Sequence, residues 1–226
     1  MIASRFARAV APALLAAVAL AACGGDDDAT APSADASGGS TAPLTVPPAF
    51  LPAIRPVEVS GEPLPPLDGA APEADPAVGG PVPVLSGEDY AGNPVRIDPA
   101  ADGPTMVVFV AHWCPACNAE VPILTEMRDA GQLPEELDIV AVATGSDPQR
   151  PNFPPGDWLD DMDWTWPSMA DDVDLAEETW VAAAAYGIDG YPFLALVDGE
   201  GNLAARWSDV SEPDEILAMI DRYIGL

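Results

Sequence analysis

The stretch from Thr105 to Cys117, Thr-Met-Val-Val-Phe-Val-Ala-His-Trp-Cys-Pro-Ala-Cys, decides the fold of this chain. Its first part, 105–111, is an uninterrupted apolar and largely β-branched run, which is typical of a strand buried on both faces. Two cysteines follow at positions 114 and 117, where a helical pattern begins. The stretch therefore predicts a buried strand, a short connection and a helix whose start carries two thiols.

This position suits thiol chemistry. The unpaired amides and the dipole at a helix start favour a thiolate on Cys114, and the thiolate is the species that attacks disulfides. Pro115 fits the first helical turn, where its missing N–H is not needed. A zinc site would need two further ligands, and only His112 is spare. A purely structural disulfide between Cys114 and Cys117 would close so short a loop that it would restrict the unfolded chain little.

Alternating helical and strand patterns continue on both sides of this stretch. A β-hairpin is predicted upstream around 91–94, because two short apolar stretches flank a turn sequence. Downstream the patterns predict a helix over 117–130, a buried strand over 137–143, a helix over 175–186, strands over 193–197 and 203–207, and a helix over 212–224. This order predicts an α/β fold with a mixed sheet flanked by helices on both faces.

The beginning of the chain has the layout of an export signal. Arg5 and Arg8 precede an apolar run over 9–22, which is too short to span a bilayer as a helix. The run ends in small residues before Cys23 and resembles a bacterial lipobox. Residues 1–22 are therefore expected to be a lipoprotein signal peptide, with lipid attached to Cys23 outside the cytoplasmic membrane, at the cell surface or in the periplasm.

Residues 23–75 are rich in Pro, Ala, Gly and Asp and predict a disordered tether. Within it, residues 44–68 carry several apolar side chains, so this part either floats or lies extended along the domain. The globular domain is expected over 76–226. It is long enough to bury a core of its own.

The charge excludes several functions. The chain has 37 acidic residues against 8 basic ones and a formal charge of −29, which argues against a nucleic-acid partner. All eight bases are arginine, so Schiff-base and P-loop lysine chemistry are excluded.

His112 is the one histidine, which rules out a multi-histidine metal site. The tryptophan and acid cluster over 157–174 lacks the EF-hand order of ligands, so no metal is expected there.

Four features together resemble the thioredoxin superfamily, and within it the TlpA-like or ResA-like, redoxin-type and membrane-attached thiol–disulfide oxidoreductases. They cover about residues 76–226. The features are the strand and CxxC pair over 107–117, the Glu-Val-Pro sequence over 120–122, the segment 185–193 with Tyr191-Pro192, and the turns near 92 and 198–201. The resemblance implies a thioredoxin-like fold and an enzyme that exchanges thiols and disulfides.

The resemblance also implies roles for single residues. Cys114 would attack the partner disulfide and Cys117 would resolve the mixed disulfide. Glu120 would exchange a proton with Cys117, although its spacing alone favours a solvated helix residue. No cofactor is expected beyond the redox-active disulfide between Cys114 and Cys117.

Three further positions are expected to support the site. Pro192 would be the cis-proline of the superfamily, so that Tyr191 presents its backbone to an extended substrate. Trp113 would pack beside Cys114. His112, expected in an exposed loop, would stabilise the Cys114 thiolate if it were protonated.

The expected partners are exported proteins with thiols or disulfides and a membrane redox partner that supplies or removes electrons. The membrane itself is contacted through the lipid on Cys23, and the protein is expected to be a monomer. Two other functions remain open at this point. One is a redoxin or peroxiredoxin-like peroxidase; the other is a lipid-anchored binding or chaperone module with a regulatory CxxC. The direction of electron flow is also open.

Overall fold

The computed structural model describes residues 45–67, Gly69 and residues 72–226. The expected signal peptide, the lipid-bearing Cys23 and the first part of the tether lie outside the described residues. Among the helices that are described, none is long and apolar enough to span a bilayer. Two short 3₁₀ turns cover Pro48–Phe50 and Pro72–Ala74.

The regular elements alternate along the chain. The strands are β1 Glu58–Ser60, β2 Val84–Glu88, β3 Pro94–Ile97, β4 Thr105–Val110, β5 Asp138–Ala143, β6 Ser168–Ala170, β7 Val173–Asp174, β8 Thr179–Trp180, β9 Phe193–Val197 and β10 Leu203–Ser208. The helices are α1 Pro99–Asp102, α2 Cys117–Asp129, α3 Pro155–Asp161, α4 Val181–Ala185 and α5 Pro213–Ile224.

The central sheet has five strands in the order β10-β9-β4-β5-β6. Strands β4, β5 and β6 run parallel, whereas β9 is antiparallel to β4 and β10 is antiparallel to β9. The predicted buried run forms β4 at the centre, and all six of its residues are buried. The carboxyl ends of the three parallel strands therefore meet at one edge of the sheet, where the two cysteines follow β4.

Side chains of β4 alternate between two cores. Val108 and Val110 pack with α2, α3 and α5 on one face. Val107 and Phe109 pack on the other face with α4 and the antiparallel sheet β1-β2-β3. The predicted mixed α/β fold, with helices on both faces, is confirmed.

Residues 45–67, called the strap below, pack on the domain. The amides of Leu64 and Leu67 donate hydrogen bonds to the carbonyls of Ala185 and Gly187 at 2.9 and 3.0 Å. Strand β1 pairs antiparallel with β2 and so adds a third strand to the predicted hairpin. The predicted domain start at residue 76 is therefore too late, because the apolar side chains of the strap, which include Leu64 and Leu67, have a core to cover.

Gly187 makes this packing possible. Its φ is +65°, and a Cβ there would lie 2.3 Å from the carbonyl oxygen of Pro65. Any side chain at this position would push the strap away from the domain.

A buried ion pair ties the segment after the strap to the sheet. Arg206 on β10 donates to both carboxylate oxygens of Asp75 at 2.6 and 3.0 Å, and it also donates to the carbonyl of Tyr186. Both charged side chains are completely buried. Residues near 75 are therefore part of the folded domain as well.

The helix predicted over 175–186 is wrong in its first half. The chain there forms the two short strands β7 and β8, and the helix covers only Val181–Ala185. Asp171 explains the late start, because its buried carboxylate accepts hydrogen bonds from the amides of Ala182 and Ala183 at 2.7 and 3.2 Å. Fixed acceptors for these otherwise unpaired amides set the first turn of the helix.

Candidate active site

The connection from β4 to α2 holds the two cysteines at the carboxyl edge of the sheet. The amide of Cys114 donates to the carbonyl of Ala111 at 2.9 Å, which closes a tight turn. Cys117 is the first residue of α2. Cys114 keeps 6% of its surface exposed, while Cys117 is completely buried. The sequence-based prediction of strand, turn and helix start is confirmed here.

Both cysteines are free thiols, and their sulfur atoms lie among backbone groups. The amide of Cys117 donates to the Sγ of Cys114 at 3.3 Å, and the Cys114 thiol donates to the carbonyl of Tyr191 at 3.4 Å. The Sγ of Cys117 accepts from the amide of Ala111 at 3.5 Å. An amide aimed at the Cys114 sulfur would stabilise negative charge there.

Cys117 differs because it is buried without a nearby cation. Burial raises the pKa of the Cys117 thiol, and the neighbouring Cys114 and the carboxylate of Glu120 raise it further. The helix places Glu120 three residues after Cys117, on the same side of α2. Cys117 therefore needs a proton acceptor before it can act as a nucleophile.

Glu120 has the properties of such an acceptor. Its side chain is completely buried. Burial raises its pKa to about 7, and the nearby acids Asp209 and Glu212 add to this, against one hydrogen bond from the backbone of Ser211. That bond reaches Oε2 at 2.8 Å, while Oε1 has no partner among the described residues. A carboxyl group with a pKa near 7 can take up or release a proton at neutral pH.

Tyr191 and Pro192 lie beside the cysteine pair. Their peptide bond is cis. The carbonyl of Pro192 accepts a hydrogen bond from the hydroxyl of Ser208 at 3.1 Å and another from the amide of Asp209 at 3.2 Å. The carbonyl of Tyr191 lies against the Cys114 thiol, so this segment borders the cysteine pair.

Trp113 packs against the same segment. Its ring meets the ring of Tyr191 edge to face, with the centroids 6.3 Å apart. Its indole N–H donates to the carbonyl of Gly145 at 2.7 Å. Gly145 follows β5 with a φ of +60°, and a Cβ at this residue would lie 3.0 Å from the hydroxyl oxygen of Tyr191.

His112 does not have the predicted environment. It is completely buried rather than exposed. Its Nδ1 donates to the carbonyl of Pro151 at 2.6 Å, and its Nε2 accepts from the amide of Asp147 at 3.1 Å. Burial lowers the pKa of His112, against the smaller effects of Pro151 and Asp147. Because both nitrogens are used and the ring is held neutral, protonated His112 is not available to stabilise the Cys114 thiolate.

The sequence analysis missed Asn118, which fixes the loop around Cys114. Its amide group donates to the carbonyl of Cys114 at 2.8 Å and to that of His112 at 3.3 Å. Its Oδ1 accepts from the indole of Trp158 at 3.0 Å. Asn152 adds a second bond to the carbonyl of His112 at 2.9 Å. The position of Asn118, four residues after Cys114, could have indicated its contact with the Cys114 carbonyl. The contact made by Asn152 could not be predicted from the sequence, because it depends on the path of a distant loop.

The tryptophan and acid cluster over 157–174 is spread over α3, β6 and β7. Trp158 and Trp164 are buried in the core, as expected for inward packing. Asp171 is the one buried acid of this cluster in the described structure, and it binds the start of α4. Within the described ranges no three His, Cys, Asp or Glu side chains converge as metal ligands.

Comparison with known proteins agrees with this geometry. A family model described as Redoxin matches residues 77–219. The methylamine utilization protein MauD of Paracoccus versutus is 25% identical over 145 residues, which cover 62% of this chain and 64% of that protein. A nucleoredoxin of Danio rerio is 30% identical over 112 residues, which cover 48% of this chain and 25% of that protein. The chain thus spans less than two thirds of the length of these relatives.

Two solved structures share the fold. The thioredoxin domain of a thiol-disulfide oxidoreductase from Bacteroides vulgatus superposes with a TM-score of 0.50 at 21% identity, covering 66% of this chain and 98% of that one. A thiol:disulfide interchange protein of the thioredoxin family from Chlorobium tepidum gives a TM-score of 0.50 at 20% identity, covering 63% and 94%. The thioredoxin-like fold expected from the sequence is confirmed.

Proposed function

This chain belongs to the redoxin family, and from that premise we propose that it is an exported thiol–disulfide oxidoreductase acting through Cys114 and Cys117. Family membership agrees with the predicted oxidoreductase class. One observation carries the proposal. The sulfur of Cys114 accepts a hydrogen bond from the amide of buried Cys117. The same sulfur lies against the Tyr191 carbonyl, beside the cis peptide bond to Pro192.

The first step is attack by the Cys114 thiolate on a disulfide of the partner. A bond forms between Cys114 and one partner sulfur, and the other partner sulfur leaves as a thiolate. The amide of Cys117 at 3.3 Å would stabilise the attacking thiolate. With 6% of its surface exposed, Cys114 is the cysteine of the pair that a partner would reach, since Cys117 is completely buried.

The second step resolves the mixed disulfide. Cys117 transfers its proton to ionised Glu120 and attacks the sulfur of Cys114. The bond between Cys114 and the partner breaks, the partner leaves with two electrons, and the enzyme retains a disulfide between Cys114 and Cys117. Glu120 suits this role because it is buried beside Cys117 with a pKa of about 7. Running the same steps backwards would oxidise a partner dithiol.

Trapping of the mixed disulfide tests this proposal. Cys117→Ser leaves the attacking thiol but removes the resolving one, so the variant should accumulate partners linked through Cys114. These species should appear on non-reducing gels and disappear with reductant. Cys114→Ser is the matched control and should trap nothing.

Catalysis can be measured as the reduction of insulin by dithiothreitol. Wild type should accelerate it, whereas Cys114→Ser should be inactive. Equal rates for the two proteins would contradict the proposal and favour a binding module. Turnover of peroxide by wild type, lost in Cys114→Ser, would instead favour a peroxidase.

Export and lipid attachment at Cys23 are part of the proposal, together with the membrane-attached TlpA-like or ResA-like type. The pattern over 1–23 supports them. Metabolic labelling with a radioactive fatty acid should mark the wild-type chain and not Cys23→Ser. A labelled Cys23→Ser variant, or an unlabelled wild type, would contradict attachment at this residue.

A further inference from the structure

The surface next to Cys114 carries an arginine on an aromatic platform. The guanidinium carbon of Arg150 lies 4.9 Å from the centre of the Trp113 ring. Trp113 is itself fixed by its bond to Gly145 and by its contact with Tyr191. A cation stacked on a fixed ring gains attraction from the ring's negative face and loses freedom to move away. The charge of Arg150 is thereby held beside the residue that precedes Cys114.

Most of the guanidinium remains available. The Nε of Arg150 faces the Oδ2 of Asp147 at 3.5 Å, a long ion pair. In the part of the chain that the structure describes, neither terminal nitrogen of Arg150 has a hydrogen bond or ion pair of its own. The side chain keeps 57% of its surface exposed. The side chain is thus held in place by Trp113 while more than half of its surface stays open to solvent.

Other arginines of the chain are committed to the protein itself. Arg206 donates to Asp75 and to the backbone, and it is completely buried. Arg55 donates to three backbone carbonyls, and Arg128 to a carbonyl, a hydroxyl and Asp129. Arg96 and Arg222 are as exposed as Arg150, but among the arginines that the structure describes it is Arg150 that stacks on the residue before Cys114.

The overall charge gives this local cation its effect. With a formal charge of −29, an acidic segment of a partner meets repulsion over much of the surface. Arg150 places a positive charge on this surface, which Asp147 offsets in part, and a planar guanidinium matches the two oxygens of a carboxylate. The contrast favours one placement of an acidic side chain and disfavours others, which is how charge patterns create specificity.

We propose that Arg150 is a specificity-determining residue that binds a carboxylate of the partner, an Asp or Glu within a few residues of the cysteine attacked by Cys114. The inference rests on the proposed function and deepens it by naming a substrate class. A segment that brings its disulfide to Cys114 passes Trp113 and Tyr191, and Arg150 lies over the first of these rings. Trp113 also offers this segment an apolar contact.

A panel of disulfide-linked peptides tests the inference. The peptides share one sequence and differ at a single position, which carries Glu, Gln or Lys and is moved from three residues before the target cysteine to three residues after it. The rate of reduction by the full-length dithiol protein is measured for each. Wild type should reduce the best-placed Glu peptide about tenfold faster than the Lys peptide at equal concentration, mainly through a lower KM.

Variants at position 150 identify the residue responsible. Arg150→Gln should bring the three peptides to similar rates, and Arg150→Glu should reverse the order so that the Lys peptide reacts faster. Arg96→Gln is the matched control, because Arg96 is equally exposed and lies near the starts of β4 and β5, at the opposite end of the sheet. It should leave the wild-type preference unchanged. Added salt should weaken the preference of wild type.

The outcomes separate the two proposals. If wild type reduces none of the peptides, the proposed function fails. If it reduces all of them without a preference for Glu at any position, or if Arg150→Gln keeps the preference, the assignment of Arg150 is overturned while the proposed function stands. A preference lost equally in Arg96→Gln would show general electrostatics and would also overturn it.

Discussion

Two of the carboxylates buried in the described structure differ in what surrounds them. Asp75, near the strap, lies against the guanidinium of Arg206 with both charges fully enclosed. Burial pushes the pKa of Asp75 up, but hydrogen bonds from Arg206 and Ala77 and the charge of Arg206 outweigh it, so the pKa is lowered. Glu120, at the cysteines, has one backbone hydrogen bond and no cation, and its pKa is raised to about 7.

The two environments suit two different roles, a structural link and a proton-transferring group. A buried carboxylate with its own cation stays ionised over the physiological range and acts as a permanent link between segments. A buried carboxylate without one changes its charge near neutral pH and can move a proton. The fold places the first kind where the N-terminal segment joins β10 and the second kind beside Cys117. Four predictions test this contrast.

Breaking the buried ion pair should have the largest effect. Arg206→Met leaves the charge of Asp75 buried without a partner, so the free energy of unfolding should fall by about 3–5 kcal/mol. Urea titration measures it. The double variant Asp75→Leu with Arg206→Met should recover most of the loss, since no charge is then left unpaired. A single-variant loss below about 1 kcal/mol would mean that water reaches the pair, and the contrast with Glu120 would fail.

Removing the charge of Glu120 should raise the free energy of unfolding, whereas breaking the buried ion pair lowers it. Because its native pKa lies above the ordinary 4.5, the unfolded state ionises first as pH rises. Glu120 therefore lowers the free energy of unfolding progressively from about pH 4.5 to 7 and by a constant amount above that. Glu120→Gln should be about 3 kcal/mol more stable than wild type at pH 8 and equal to it at pH 4. Urea titrations at the two pH values check this; equal stability at pH 8 would contradict it.

The same variant should slow the second exchange step. In wild type the resolution of the mixed disulfide should accelerate as pH rises through about 7, when Glu120 becomes an ionised acceptor. Glu120→Gln should lower this rate about 10²-fold and remove its rise near pH 7. Stopped-flow release of a labelled partner thiol measures the step. A rise near pH 7 that persists in the variant would assign it to another group.

An exposed ion pair should have the smallest effect. Arg222 and Glu73 approach to 2.6 Å, but about half of each side chain is exposed. Water and salt screen such a pair, and holding two long side chains together costs entropy. Arg222→Gln should therefore leave the urea midpoint unchanged within error. A loss approaching that of Arg206→Met would show that enclosure is not what distinguishes Asp75.

The sequence could predict what depends on local pattern. The apolar run over 105–111 and the two cysteines after it predicted β4 and the start of α2, and the structure has both elements there. The spacing of Glu120 after Cys117 predicted only that the two side chains share one face of a helix, and the role proposed for Glu120 came from the family resemblance. Its burial was not readable, since that depends on the Ser211 backbone, which comes from a distant part of the chain.

Other features depend on where loops return. His112 looked like an exposed loop histidine, but the segment around 147–151 encloses it and uses both nitrogens. The strap looked like linker because proline-rich sequence opposes regular structure. Its packing rests on the small size of Gly187 and on open carbonyls at the end of α4, neither of which the strap's own sequence contains.

The bound strap also shortens the chain between its two ends. Fully extended, residues 45–67 would span about 80 Å. Bound to the carbonyls of Ala185 and Gly187, they add none of that length as slack. Because Gly187 lies only four residues before Tyr191, the strap and the segment beside the cysteine pair are held to the same body.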